Sequence, residues 1–126
     1  MQKLIFESAW EKTIAPADRE KIISVFHETK NEGDGTIMFI PLKTAVNHEE
    51  SLLITVLIHN FTKELFPLQD LRLIYTESAQ SVAEYDFSFP HVTIESRTSM
   101  PWTFIFPKTS WIREPSFENS GLVFGN

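Results

Sequence analysis

The segment Ser-Leu-Leu-Ile-Thr-Val-Leu-Ile-His, residues 51–59, decides the fold class. Its apolar side chains fill both alternating faces, with Leu52, Ile54, Val56 and Ile58 on one face and Leu53 and Leu57 on the other. Successive side chains of a strand point to opposite faces, so a segment that is apolar on both faces is covered on both sides. The pattern predicts the central strand of a sheet.

Other segments with strand character follow one another with turn residues between them, at 36–46, 71–76, 82–89 and 100–107. Pro41 lacks the N–H that a central ladder needs, which predicts an edge position or a bulge in the first of them. In residues 82–89, Tyr85, Phe87 and Phe89 alternate with polar side chains, which predicts one buried face. Short strands at this spacing are typical of a mainly β protein, and we predict an immunoglobulin-like two-sheet β-sandwich.

One helix precedes these strands, over about residues 15–30. Pro16 suits the first helical position, and Ile22 and Phe26 recur at helical spacing. Gly33 and Gly35 follow and predict the end of the helix. We therefore expect one domain over residues 1–126, with the helix, a sandwich over about 36–112 and a tail over 114–126.

Size and charge narrow the possible partners. A chain of 126 residues suits one hydrophobic core. The net charge of −6 and the lack of a basic stripe argue against nucleic acid. No apolar stretch approaches the roughly 20 residues that span a bilayer, and residues 1–10 lack the apolar run of a signal peptide. The chain also has no Cys. We expect a soluble protein of the cytoplasm.

The sequence shows no catalytic or metal-binding spacing. The four histidines are scattered, and neither a Gly-x-Ser-x-Gly elbow nor a phosphate-binding loop is present. Glu77, Glu84, Asp86 and Glu95 could supply the two carboxylates of a glycoside hydrolase only if they face one cleft. We expect no enzyme, no cofactor and no metal, and a hydrolase stays as a third class of function.

Two groups of apolar residues form the candidate partner surface. Trp102 shares a strand face with Met100, Phe104 and Phe106, which predicts either core packing or an aromatic platform that Trp111 could extend. In the tail, Leu122, Val123 and Phe124 are too apolar for a solvated end. We expect these three to dock on the sheet or on a partner.

Three segments together resemble the SLAP domain of spore-forming Gram-positive bacteria. They are Ala9-Trp10-Glu11-Lys12-Thr13-Ile14-Ala15-Pro16-Ala17-Asp18-Arg19-Glu20-Lys21-Ile22, the pair His59-Asn60 after an apolar strand, and Pro101-Trp102-Thr103-Phe104-Ile105-Phe106. The resemblance covers most of residues 4–112. Ala15 departs from the family pattern, which has a Ser at this position. A Ser would cap the helix through its hydroxyl, and its absence costs about 1 kcal/mol of local stability.

The resemblance implies a non-enzymatic accessory factor for the secretion or assembly of S-layer or other envelope proteins, linked to an accessory Sec system. Its expected partner is a protein, either secretion machinery or an exported envelope protein, met in the cytoplasm or at the inner face of the membrane. The alternative is a β-sandwich that binds a cell-wall carbohydrate through Trp102 or Trp111.

Overall fold

A computed structural model describes residues 1–125 of the chain. Asn126, the last residue of the predicted tail, lies outside the described residues. Within them the strands are β1 (Lys3–Leu4), β2 (Ile37–Val46), β3 (Leu52–Asn60), β4 (Phe66–Pro67), β5 (Leu71–Glu77), β6 (Gln80–Phe87), β7 (Thr93–Ile94), β8 (Thr98–Phe106) and β9 (Ser120–Phe124). The helices are α1 (Ser8–Thr13), α2 (Pro16–Thr29) and a short 3₁₀ helix at Lys108–Ser110.

The first sheet has the strand order β1-β8-β3-β2. β3 lies at its centre and pairs antiparallel with both β2 and β8, which confirms the central strand predicted from residues 51–59. β2 is an edge strand and its register shifts between Pro41 and Lys43, so both the edge and the bulge expected at Pro41 are present. β1 runs parallel to β8.

The second sheet has the order β6-β5-β9, and β4 and β7 form a small separate pair. A hydrophobic core fills the space between the two larger sheets, with contributions from Ile54, Leu73, Tyr75, Phe104 and Phe106. The mainly β, sandwich-like arrangement with an N-terminal helix is therefore confirmed.

Helix α2 packs on the outer face of the first sheet and forms a third layer. Ile22 and Phe26 are buried there against Leu57, which projects from β3 away from the sandwich core. The helix begins at Pro16, and Ala15 at the N-cap makes no side-chain hydrogen bond to it. The predicted helix and its missing cap are both confirmed.

Three local predictions need correction. One helix was predicted, but residues 3–13 also form β1 and a second helix, α1, which the carboxylate of Glu7 caps by accepting from Ala9 N at 2.8 Å. β8 spans Thr98–Phe106 rather than 100–107, so Pro101 lies inside it. Tyr85 is 40% exposed despite its apolar neighbours, because β6 is the edge strand of its sheet.

Candidate interaction surface

The two tryptophans of the predicted partner surface pack against the core. Trp102 is partly buried, its ring centre lies 5.3 Å from that of Phe89, and its indole N–H is buried without a hydrogen-bond partner among the described residues. Trp111 is also partly buried, and its indole N–H donates to the Phe106 carbonyl at 3.2 Å. Both tryptophans therefore fit core packing, the first of the two predicted roles, better than an exposed aromatic platform.

The apolar tail docks on the second sheet as β9. Tyr75 of β5 is paired with Leu122, which is only 4% exposed and belongs to the core. Val123 and Phe124 are 47% and 46% exposed, and the Phe124 ring lies 5.2 Å from that of Phe39 on β2. Of the three tail residues, only the last two are available to a partner.

The structure does not bring the five predicted residues to one surface. Trp111 forms a bridge to Ala83 on β6, whereas Leu122 to Phe124 lie on β9 at the opposite edge of the same sheet. Trp102 lies on β8 in the other sheet. An apolar pattern along the sequence could not reveal this separation, since it depends on which strands pair.

A different feature, the outer edge of β8, offers an open surface. Lys3 N and Ile5 N of the N-terminal segment donate to Arg97 O and Ser99 O, so odd-numbered residues of β8 direct their backbone groups away from β3. β1 covers only Thr98 and Ser99. By this alternation the backbone groups of Pro101, Thr103 and Ile105 face outward, with no strand of the described residues beside them.

A recess lies directly beside this edge. It has a volume of about 250 Å³ and lies between β6 and β8. Its lining is largely apolar, with Tyr85, Phe87, Phe89 and Ile105, and it includes the polar residues Asp86, Ser88 and Thr103. The side chain of Ile105 is 49% exposed. We call the outward edge of residues 101–105 and this recess together the β8 edge site. Sequence reasoning missed it, although the uncharged run of residues 100–107 was its signal.

A larger groove of about 550 Å³ lies between the two helices and the outer face of the first sheet. Trp10, Ile14, Ile22 and Leu42 give it an apolar floor and walls. The Lys21 ammonium at its border donates to the Leu42 carbonyl at 2.8 Å, so the strand already satisfies part of this cation's hydrogen bonding. The groove arises because α1 and α2 cover only part of the sheet.

His59 is a fully buried titratable group with a large shift in pKa. Its Nε2 lies 2.7 Å from Thr29 Oγ1, its Nδ1 lies 2.5 Å from Ser99 Oγ, and its ring stacks on Phe61 at 4.7 Å. Thr29 Oγ1 donates its own proton to Val25 O, so it can only accept from His59, which assigns the proton to Nε2. Ser99 then donates to Nδ1. Burial lowers the pKa of His59 to about 4.

This arrangement holds elements together rather than serving a substrate. His59 and Ser99 both have no measurable exposure, so no external molecule reaches the hydroxyl. Gln2 Nε2 donates to Ser99 Oγ at 3.0 Å and to Asn60 O at 3.1 Å, which adds the N-terminal segment to the network. The neutral imidazole thereby links α2, β3 and β8.

The four carboxylates considered for hydrolysis do not face one cleft. Glu84 and Asp86 both bind Arg72, at 2.8 and 3.0 Å, and their hydrogen bonds raise the pKa of Arg72. Glu77 is 8% exposed and lies in a separate network, and Glu95 is an exposed residue after β7.

Glu77 fixes the segment that leads to β9. Its carboxylate accepts from Tyr75 Oη at 2.8 Å, from Ser116 N and Ser116 Oγ at 3.0 Å, and from Phe117 N at 2.8 Å. Burial would raise the pKa of Glu77, but these hydrogen bonds outweigh burial and lower it. Glu77 is therefore a structural anion that holds the tail.

Two kinds of feature are absent from the described residues, namely a metal-binding cluster and a membrane-spanning helix. Within residues 1–125, no group of three or more His, Asp or Glu side chains is placed to hold a metal ion. No helix in the same range has both the length and the apolar character needed to cross a membrane.

Comparison with known proteins supports the resemblance seen in the sequence. The family model described as the SLAP domain matches residues 4–123, which is nearly the whole chain. No curated protein and no solved structure gives a significant match. The chain therefore belongs to the SLAP domain family, which points to a surface- or S-layer-associated module.

Proposed function

We propose that this chain is a non-enzymatic protein-binding module that serves the secretion or assembly of S-layer or other envelope proteins. It acts in the cytoplasm or at the inner face of the membrane, where it meets secretion machinery or an exported protein before export. Membership in the SLAP domain family supports the link to the envelope.

The observation that carries the binding role is the β8 edge site. Unpaired backbone groups beside an apolar recess suit an added polypeptide strand, because main-chain hydrogen bonds give affinity and pockets for alternate side chains give specificity. The tryptophans proposed for carbohydrate binding are less suited to their role, since both are partly buried against the core.

Affinity capture tests the proposed role. The purified chain serves as bait in a lysate of a spore-forming Gram-positive bacterium, and bound proteins are identified by mass spectrometry. We expect enrichment of a Sec ATPase or an S-layer precursor relative to an unrelated acidic bait of the same size. Recovery equal to that control contradicts the secretion role.

A titration with purified wall glycan tests the alternative function, carbohydrate binding. Trp102 and Trp111 report binding through their fluorescence, because a sugar that stacks on either ring changes its environment. We expect no change in emission. Quenching that saturates with glycan concentration, together with a failed capture, replaces the protein-binding proposal with carbohydrate binding.

A further inference from the structure

The outer edge of β8 lacks most of the features by which natural edge strands avoid pairing with other chains. Such edges are usually protected by charges, bulges, prolines or covering segments. β2 has a bulge between Pro41 and Lys43, and the Val82 carbonyl on β6 is covered by Ile112 N at 2.6 Å. Residues 101–106 of β8 contain no charge and no register shift, and their one protective residue is Pro101.

The chain itself already pairs with the beginning of this edge. The segment around β1 runs parallel to β8, with Lys3 N donating to Arg97 O at 3.1 Å and Ile5 N donating to Ser99 O at 2.9 Å. The next acceptor in that row is Pro101 O. The chain leaves the row before reaching it, because Glu7 caps α1 and the backbone turns into the helix.

The free groups continue the same row. After Ser99, the outward acceptors are the carbonyls of Pro101, Thr103 and Ile105, and the outward donors are the N–H groups of the last two. β8 itself ends at Phe106, which marks the end of the free edge. A strand of about five residues fits between β1 and this point.

The recess beside the edge defines the side chains that such a strand needs. Alternate residues of the added strand point toward Tyr85, Phe87 and Phe89, whose aromatic rings favour apolar side chains. A further recess of about 320 Å³ adjoins it and is lined by Asp70, Asp86, Phe87 and Ser88. Both aspartates are exposed. Asp86 already binds Arg72 at 3.0 Å, whereas Asp70 pairs with no cation among the described residues. Asp70 is therefore the carboxylate that favours a basic residue in the partner.

The position of that basic residue follows from the strand directions. Phe89 contacts Trp102, near the start of the free edge, whereas Phe87 contacts Phe104 and Phe106 further along. Asp70 lies near the former end, since its N–H donates to Ser88 Oγ at 2.8 Å. A strand parallel to β8 therefore passes Asp70 with its N-terminal part.

We infer that an extended apolar segment of a partner polypeptide, preceded by a basic residue, adds to β8 as a parallel strand in continuation of β1. Its alternate side chains fill the recess beside β6. The inference rests on the proposed protein-binding function and specifies the segment of the partner that is bound.

The binding test uses a synthetic peptide, Lys-Lys-Val-Thr-Val-Thr-Val-Thr, acetylated and amidated, titrated into the full chain and followed by amide chemical shifts. We expect the largest shifts at Thr103 and Ile105, with cross-peaks that show parallel pairing. A peptide with Glu-Glu in place of Lys-Lys should bind more weakly, and the difference should shrink at high salt. Shifts confined to β9 or to the helix groove overturn the inference.

Selective N-methylation of the peptide gives a sharper test. Only one alternating set of N–H groups in an added strand faces β8, whereas the other set faces solvent. Methylating one residue of the facing set should weaken binding about fivefold, since a net hydrogen bond contributes about 1 kcal/mol. Methylating the other set should leave binding unchanged. Equal effects for both sets overturn strand addition.

Two variants of the chain test the edge from the other side. Thr103→Pro removes an outward N–H and should weaken peptide binding about fivefold, by the same hydrogen-bond argument. Ile105→Lys changes an exposed side chain, tolerates folding better and should weaken binding at least as much. Val46→Lys, at a 40% exposed residue of β2, is the matched control and should bind normally. Equal binding by Ile105→Lys and the control overturns the inference.

The outcomes separate the edge site from the proposed function. Peptide binding at β8 without capture of envelope proteins leaves the edge site standing and removes the secretion role. Capture that Ile105→Lys does not impair leaves the role standing and removes the edge site. Light scattering adds a third outcome, because a dimer that dissociates on Ile105→Lys assigns the edge to a second copy and overturns the partner-segment inference.

Discussion

Mild acid should destabilise this protein through His59. The neutral imidazole accepts a hydrogen bond from Ser99 and donates one to Thr29, so protonation places a second N–H opposite Ser99 and a charge in an apolar site. Among residues 1–125, the ring contacts Phe26, Phe61 and the two hydroxyls, and no charged group there offsets the new charge. Burial is the cause of the lowered pKa.

The magnitude follows from the difference between the usual imidazole pKa of 6.5 and the value of about 4 in the fold. Each pH unit between them corresponds to about 1.36 kcal/mol, so the full effect is about 3 kcal/mol. Since the pKa is lowered on folding, this stability is present above pH 6.5 and is lost as the pH falls toward 4. About 2 kcal/mol should be lost by pH 5.

The measurement is the free energy of unfolding in urea at intervals from pH 7.5 to pH 5, followed by tryptophan fluorescence. This window lies above the range in which most carboxylates titrate. His59→Gln should be less stable than the wild type at pH 7.5 but should lose less stability toward pH 5. His27→Gln, at an exposed histidine of α2, the helix that supplies Thr29, should keep the wild-type slope.

Parallel curves for the wild type and His59→Gln would refute this reasoning. That result would mean that folding leaves the pKa of His59 near its usual value, or that the substitution changes the contribution of other groups. A direct titration of the His59 ring by NMR separates the two, because a midpoint near 6.5 removes the basis of the magnitude.

Three further changes test the packing. Glu77→Gln should lower the free energy of unfolding by about 1–3 kcal/mol, since an amide cannot accept all the donors of the tail, whereas exposed Glu49→Gln should be neutral in a urea titration. Ala15→Ser should stabilise the protein by about 0.5–1 kcal/mol by supplying the missing cap, seen as a higher melting temperature, and an unchanged value contradicts the cap argument. Leu122→Ser should cost at least about 2 kcal/mol while Val123→Ser stays within about 0.5 kcal/mol in the same titration, so equal losses would mean that β9 is docked differently.

Local patterns accounted for the parts of the fold in which a segment's own residues decide its structure. The central strand was predicted because both of its faces are apolar over nine residues, and Pro41 marked the bulge of β2 by its missing N–H. Helix α2 was also predicted from local residues alone. Pro16 suits the first helical position, and Ile22 and Phe26 are four residues apart, which places them on one face of a helix.

The remaining structure depends on pairings between distant residues. β1 has two residues and exists only because β8 accepts it, and β9 pairs with β5, more than 40 residues earlier. The candidate surface was misplaced for this reason. An apolar tail signals that something covers it, but only the strand order shows that Leu122 is covered by the chain's own core.

The residues that carry the family resemblance have mostly structural roles. The binding surface must therefore lie elsewhere or involve their backbone. His59 and Asn60 are buried and hydrogen-bonded, with Asn60 Nδ2 donating to the carbonyls of Glu64 and Ile94. Because Asn60 is fully engaged, such residues explain how the domain folds rather than what it binds.

The segment Pro101 to Phe106 is the exception, since packing explains its side chains but not its backbone. Trp102, Phe104 and Phe106 face the sandwich core, which accounts for their aromatic character. Core packing of the side chains places no requirement on the outer backbone edge of β8. It does not explain why that edge carries neither a charge nor a bulge. An apolar, unprotected edge beside an aromatic recess exposes the chain to unwanted association unless a partner covers it, so the same strand serves as core through its side chains and as a binding site through its backbone.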